Sequence, residues 1–105
     1  MKRFEVRLTE LDPTRGAEMQ KTRPCIIISQ STLNRMLMTV FVVPLTAARH
    51  SYPSRVPCMF AGRQGEVALD QMRCVDKGRL VRRVGALQTN EAEAVLSALQ
   101  EMFSP

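Results

Sequence analysis

Helical periodicity is sustained in one stretch of this chain, its last 16 residues, and nearly everything before it is written in short β-type runs broken by turn formers. Phe4, Val6 and Leu8 alternate with Glu5, Arg7 and Thr9, the period of a half-buried strand. Asp12-Pro13-Thr14-Arg15-Gly16 then gathers turn formers, and a polar stretch from Ala17 to Arg23 extends this into a long loop. Pro24 opens a β-branched run, Cys25 to Ser29, that suits a strand buried on both faces. A short helical turn is expected over Ser31 to Met36. Another apolar strand follows from Met38 to Leu45, ended by Pro44-Leu45-Thr46. A second polar loop, Ala47 to Ser54, holds Arg49, His50, Tyr52 and Pro53. Val56–Phe60 and Gly65–Leu69 read as two strands joined at Gly62, and Asp70-Gln71-Met72-Arg73 lies at a strand end. Leu80 to Leu87 is the last expected strand. Asn90, with Glu93 three residues on, fits a helix-capping box. Ala92, Val95, Leu96, Leu99, Met102 and Phe103 then form one apolar helical face. Serial short strands with one terminal helix predict a small, mainly antiparallel barrel.

Length and composition narrow the function classes. The 105 residues suit one domain spanning residues 1–105. The modest core of so short a chain favours a homodimer that hides more apolar surface. Val40 to Leu45 is the longest apolar stretch, far short of a membrane span. Met1-Lys2-Arg3-Phe4-Glu5 lacks the apolar segment of a signal peptide, so a cytoplasmic location is expected. Cys25, Cys58 and Cys74 are odd in number and widely spaced, which favours reduced thiols over a disulfide frame or a zinc site. With His50 the sole histidine, neither a two-histidine metal site nor a catalytic histidine pair can form within one chain. No metal or cofactor is expected. A net charge of +5 favours polyanionic partners, nucleic acid or an acidic protein segment.

From Leu11-Asp12-Pro13-Thr14-Arg15-Gly16-Ala17-Glu18 to Thr22-Arg23-Pro24, the sequence resembles the MazF/PemK/Kid toxins of type II toxin–antitoxin systems. The resemblance continues through Asn34, Val43-Pro44-Leu45-Thr46, Tyr52-Pro53 with Val56, Val67-Ala68-Leu69-Asp70-Gln71-Met72-Arg73 and Val75-Asp76. It therefore covers nearly the whole chain in order. Three positions depart from patterns common in the family. Phe4 replaces a glycine, Ala17 stands where some members carry a histidine, and Ala68 stands where some carry an arginine. The resemblance implies an SH3-like small barrel of the MazF/Kid/CcdB type with a C-terminal helix, forming homodimers in the bacterial cytoplasm. It implies metal-independent cleavage of single-stranded RNA, principally mRNA, at short specific sequences. It also implies a cognate antitoxin whose acidic C-terminal tail covers the RNA site, and a toxin–antitoxin complex that binds operator DNA.

RNA carries its own nucleophile, the 2′-hydroxyl, so the protein need only accept its proton, stabilise charge on the phosphate and protonate the leaving oxygen. On the family match, Arg23 is the phosphate clamp, since a guanidinium grips phosphate oxygens in a bidentate way. Without that match it reads as a surface charge flanking a strand. Thr46 offers a hydroxyl to phosphate, or else satisfies turn backbone. Glu18 is the candidate proton acceptor, or a solvated loop carboxylate. Asp70 is an alternative base, or a turn cap. Thr14, Arg15 and Lys21 in the first loop, and Arg49, His50 and Tyr52 in the second, are candidate RNA-binding residues. Gln71 can hold a base or the loop, and Arg73 can bind phosphate or pair with Asp70. Arg79, Arg82 and Arg83 form an electrostatic track or simply a solvated strand face. Two alternatives stand beside the ribonuclease. One is a CcdB-like non-catalytic poison of DNA gyrase on the same fold. The other is an inactive regulator that binds only its antitoxin and operator DNA.

Overall fold

The structure is a computed structural model that describes residues 1–11 and 22–105. Its strands are β1 (Glu5–Glu10), β2 (Thr22–Ile27), β3 (Thr39–Thr46), β4 (Arg55–Phe60), β5 (Arg63–Ala68), β6 (Arg73–Asp76) and β7 (Leu80–Ala86). Two helices, α1 (Ser31–Met36) and α2 (Thr89–Met102), complete the set with two 3-10 turns, Leu69–Gln71 and Lys77–Arg79. The strands form one curled antiparallel sheet in the order β4-β5-β3-β2-β1-β7, with β6 also paired to β3.

β3 is where the sheet forks. One edge pairs with β2 through Val42, Val43 and Pro44. The other edge is shared: β6 takes Thr39 to Val42, and β5 takes Leu45 and Thr46. Alternation along β2 and β3 sends side chains into two separate cores. Val6, Ile26, Ile28, Val43, Leu45, Val56, Cys58, Val67, Leu69 and Val95 pack on one side. Leu11, Cys25, Ile27, Val40, Val42, Val75 and Leu80 pack on the other. Two-sided burial is why β2 and β3 read as near-continuous apolar runs.

Several boundaries differ from the sequence reading, each for a tertiary reason. Phe4 is no strand residue: it takes a left-handed φ of 70° while its N–H reaches the Ile27 carbonyl at 2.6 Å. β2 begins at Thr22, ahead of Pro24, because Arg23 and Thr22 pair with Thr9 and Glu10 of β1. β6 was not anticipated, since four residues with only Val75 buried display no alternation. α2 is capped by Gln88 and Glu91, not by Asn90 and Glu93. Glu91 accepts the Gln88 N–H at 3.0 Å and, with its other oxygen, the Met59 N–H of β4 at 2.8 Å. The helix start is thus fixed by the strand beneath it. Val95, Ala98 and Leu99 seat α2 on the first core, whereas Phe103 at its end is exposed. Asn34 is buried in α1 and donates to the carbonyls of Ser29 and Met1 at 2.9 and 3.2 Å, tying the helix to the start of the chain. Among the described residues, no helix is long and apolar enough to cross a membrane.

Candidate functional site

Arg23 projects from the exposed end of β2, on the same face as Cys25 and Ile27. Its Nη2 donates to the Leu45 carbonyl at 3.4 Å. The β2–β3 register, Cys25 opposite Pro44, carried two residues along, sets Arg23 beside Thr46. Thr46 is half-buried at the end of β3, and its hydroxyl donates to the Ala48 carbonyl at 2.9 Å. Arg73 opens β6 opposite Val42 and lies on this face too. Burial pushes the Cys25 thiol up to about 11, although the Thr9 hydroxyl, Arg23 and Arg73 all pull it down. The two arginines therefore flank Cys25, and the strand-end face is cationic.

The loop after Thr46 is organised from below. Glu66 lies opposite Thr46 in β5 and is 1% exposed. Its Oε1 accepts the His50 N–H at 3.0 Å and its Oε2 the Ser51 N–H at 3.3 Å. Ser51 sits in the left-handed region, φ 58°. Arg55 Nη1 lies 3.6 Å from Glu66. The same guanidinium grips Asp70 through Nε at 2.7 Å and Nη2 at 3.2 Å, and Ser54 donates to Asp70 at 2.8 Å. The amide of His50 chiefly holds the Glu66 carboxyl below its ordinary value. The hydrogen bond from Arg55 chiefly holds Asp70 at about 2. Above this network the His50 and Tyr52 rings stack, centroids 5.2 Å apart and 8° from parallel. Arg55 lies 5.4 Å from the Tyr52 centroid.

A groove of about 470 Å³ runs beside the site, with Pro24, Leu45 and Thr46 on one wall and Cys58, Phe60 and Gly65 on the other. Only glycine fits at position 65: a Cβ there would sit 2.5 Å from the Thr46 carbonyl oxygen.

The structure thus brings together Arg23, Thr46, Arg73 and the loop bearing His50 and Tyr52. Asp70 and Gln71 stand at the 3-10 turn beyond β5, Gln71 exposed and Asp70 committed to Arg55 and Ser54. Arg49 turns away and donates to Gln64 at 3.0 Å. Thr14, Arg15, Glu18 and Lys21 lie outside the described residues. Of the expected electrostatic track, Arg83 pairs with Glu5 at 3.1 Å and Arg79 donates to the Glu10 carbonyl at 3.2 Å. Sequence reasoning missed Glu66 and Arg55. Their signal was present: a carboxylate inside an apolar strand, with an arginine opening the strand before it.

Fold and site together define a small, basic, mostly β half-barrel with a C-terminal helix and a cationic face at its strand ends. Residues 2–103 match the PemK-like, MazF-like toxins of type II toxin–antitoxin systems, and the chain belongs to that family. It is 32% identical over 108 residues to endoribonuclease PemK of Escherichia coli, covering 94% of this chain and 81% of that protein. Endoribonuclease MazF of Staphylococcus saprophyticus is 29% identical over 105 residues, covering 94% of this chain and 88% of the relative. Among solved structures, MazF in a MazE–MazF complex from Deinococcus radiodurans superposes with a TM-score of 0.82 at 20% identity, covering 97% of this chain and 94% of that one. A mycobacterial endoribonuclease in complex with its cognate antitoxin gives 0.80 at 24% identity, covering 96% and 92%.

Proposed function

We propose that this protein is an endoribonuclease toxin that cuts single-stranded RNA, mRNA above all, at short specific sequences without a metal ion. The observation that carries the reading is Arg23, exposed at a strand end with Thr46 alongside, in a chain of this family. One guanidinium arm rests on a neutral carbonyl, and the other donors remain able to take two phosphate oxygens. Attack by the RNA's own 2′-hydroxyl on the adjacent phosphorus forms a 2′,3′-cyclic phosphate and releases the 5′-oxygen. Charge added to the phosphate oxygens on the way is what Arg23 stabilises. The Thr46 hydroxyl reaches the same phosphate by turning from the Ala48 carbonyl. Glu18 is assigned the 2′-hydroxyl proton. Asp70 is left a brace, because Arg55 already takes both of its oxygens. With Ala17 and Ala68 where relatives carry side chains able to donate a proton, Arg23, directly or through water, is also assigned protonation of the leaving oxygen.

The cationic face is likewise suited to an acidic antitoxin tail, which would exclude RNA by covering Arg23. A homodimer working in the bacterial cytoplasm completes the reading. A gyrase poison of the CcdB type is not favoured, since the named relatives are endoribonucleases. The test is cleavage of single-stranded RNA by purified protein in excess EDTA. Arg23→Ala should lower the rate about 100- to 1000-fold with an unchanged circular dichroism spectrum. Intact RNA with the wild-type protein, or full activity in Arg23→Ala, would overturn the assignment.

A further inference from the structure

Glu66 is shut off from solvent, yet it decides the shape of the loop beside the site. Residues 47–54 belong to no strand, so no ladder holds them. The loop's ends are tied by bonds to the Ala48, Tyr52 and Ser54 carbonyls, while its middle is gripped by the two oxygens of this one carboxylate, through the N–H groups of His50 and Ser51. Bonds from amides to an ionised acceptor are among the stronger hydrogen bonds available. They hold Ser51 at φ 58°, a backbone conformation that L side chains rarely adopt. Arg55 balances the buried charge at 3.6 Å and lies 5.4 Å from the Tyr52 ring centre. Tyr52, 52% exposed and stacked on His50, is thereby presented as a flat platform. Glu66 is also the direct cross-strand partner of Thr46. One residue therefore ties the platform and the phosphate-gripping strand end into a single register.

We propose that Glu66 is the positioning residue for RNA reading: it presets the His50–Tyr52 platform so that an unpaired base stacked there delivers the neighbouring phosphate to Arg23 and Thr46. This rests on the ribonuclease reading above. Stacking of single-stranded bases on aromatic rings is the usual mode of such recognition. A preset platform lowers the ordering cost of binding, so its loss is felt in substrate affinity before the chemical step.

Tyr52 is the sole tyrosine and the chain has no tryptophan, so intrinsic fluorescence reports on this loop alone. The experiment compares wild type, Glu66→Gln, Glu66→Asp and the double variant Ser51→Gly/Glu66→Gln. Tyr52 quenching by acrylamide is measured in each. So is cleavage of a long single-stranded phage RNA, with the cut ends sequenced, followed by steady-state kinetics on a short oligonucleotide carrying the main cut. In Glu66→Gln, quenching should rise, KM should rise about 10- to 100-fold, kcat should hold within about threefold, and the set of cut sites should broaden. Glycine at position 51 adopts positive φ readily, so the double variant should recover part of the KM loss. Glu66→Asp keeps the charge but is too short to hold both amides, and it serves if Glu66→Gln does not fold. It should change in the same direction. Unchanged quenching overturns the loop grip. Changed quenching with unaltered KM and cut sites, or a loss confined to kcat, overturns the link to reading. A wild-type protein that leaves all RNA intact overturns the ribonuclease reading and with it the platform's purpose, while quenching still decides the grip.

Discussion

Two arginines within one face of this molecule are held in opposite ways. Arg55 has a side chain 6% exposed and is committed to Glu66 and Asp70. Arg23 is exposed and, in the described structure, rests one arm at 3.4 Å on a neutral carbonyl. A guanidinium already shared between two carboxylates has little left for phosphate, whereas one whose hydrogen bond among the described residues is to a backbone oxygen is positioned by it without being neutralised by it. Gly65 is the other position where one atom matters. Its missing Cβ lets β5 approach the Thr46 carbonyl. Gly65→Ala should force the strands apart, costing about 1–3 kcal/mol of stability in urea titrations and lowering RNA cleavage through the displaced Thr46. A stability within about 0.3 kcal/mol of wild type would show that β5 yields easily at this point.

At the scale of elements, α2 depends on a carboxylate that belongs to two structures at once. Glu91 closes the capping box with Gln88 and holds the Met59 amide of β4. Glu91→Ala should therefore cost about 1–2 kcal/mol and speed hydrogen exchange at the Met59 amide, which a purely local cap would leave unchanged. The same residue shows why the sequence was only partly legible. Strand and helix types were readable wherever burial repeats along the chain, as in β1, β3 and α2. The cap was misassigned to Asn90 because local chemistry favoured it, while contact with β4 placed the boundary earlier. β6 was unreadable because its pairing with β3, not its own pattern, makes it a strand. Arg23 and Thr46 were singled out as candidate site residues through family resemblance alone. Their adjacency lies in the β2–β3 register. Glu66 is visible in the sequence as a carboxylate in an apolar strand, but its hold on the loop stayed hidden because those partners are main-chain amides, which leave no mark in a sequence.

For the whole molecule, the carboxylates held by hydrogen bonds and arginines set the response to acid. Glu66 and Asp70 lie below their ordinary values of 4.5 and 3.8. Burial opposes ionisation of Glu5, but the Lys2 amide and Arg7 outweigh it and lower its value as well. A lowered native value means that the folded state holds its proton less tightly than the unfolded one. The stability these groups supply is thus complete above their ordinary values and is lost as pH falls through the lowered ones. Urea midpoints should be flat above about pH 5 and decline towards about pH 2, with Asp70→Asn flattening the lowest part of the decline. A midpoint that rises on acidification would contradict this assignment of the carboxylates. The grip on the loop has a consequence for how such a protein can diversify. Glu66 holds the peptide amides of residues 50 and 51, which every residue but proline supplies, so position 50 can exchange its side chain without losing the bonds that shape the loop. Variation can then accumulate on the outward side of a fixed loop while the strand ends beneath it stay untouched.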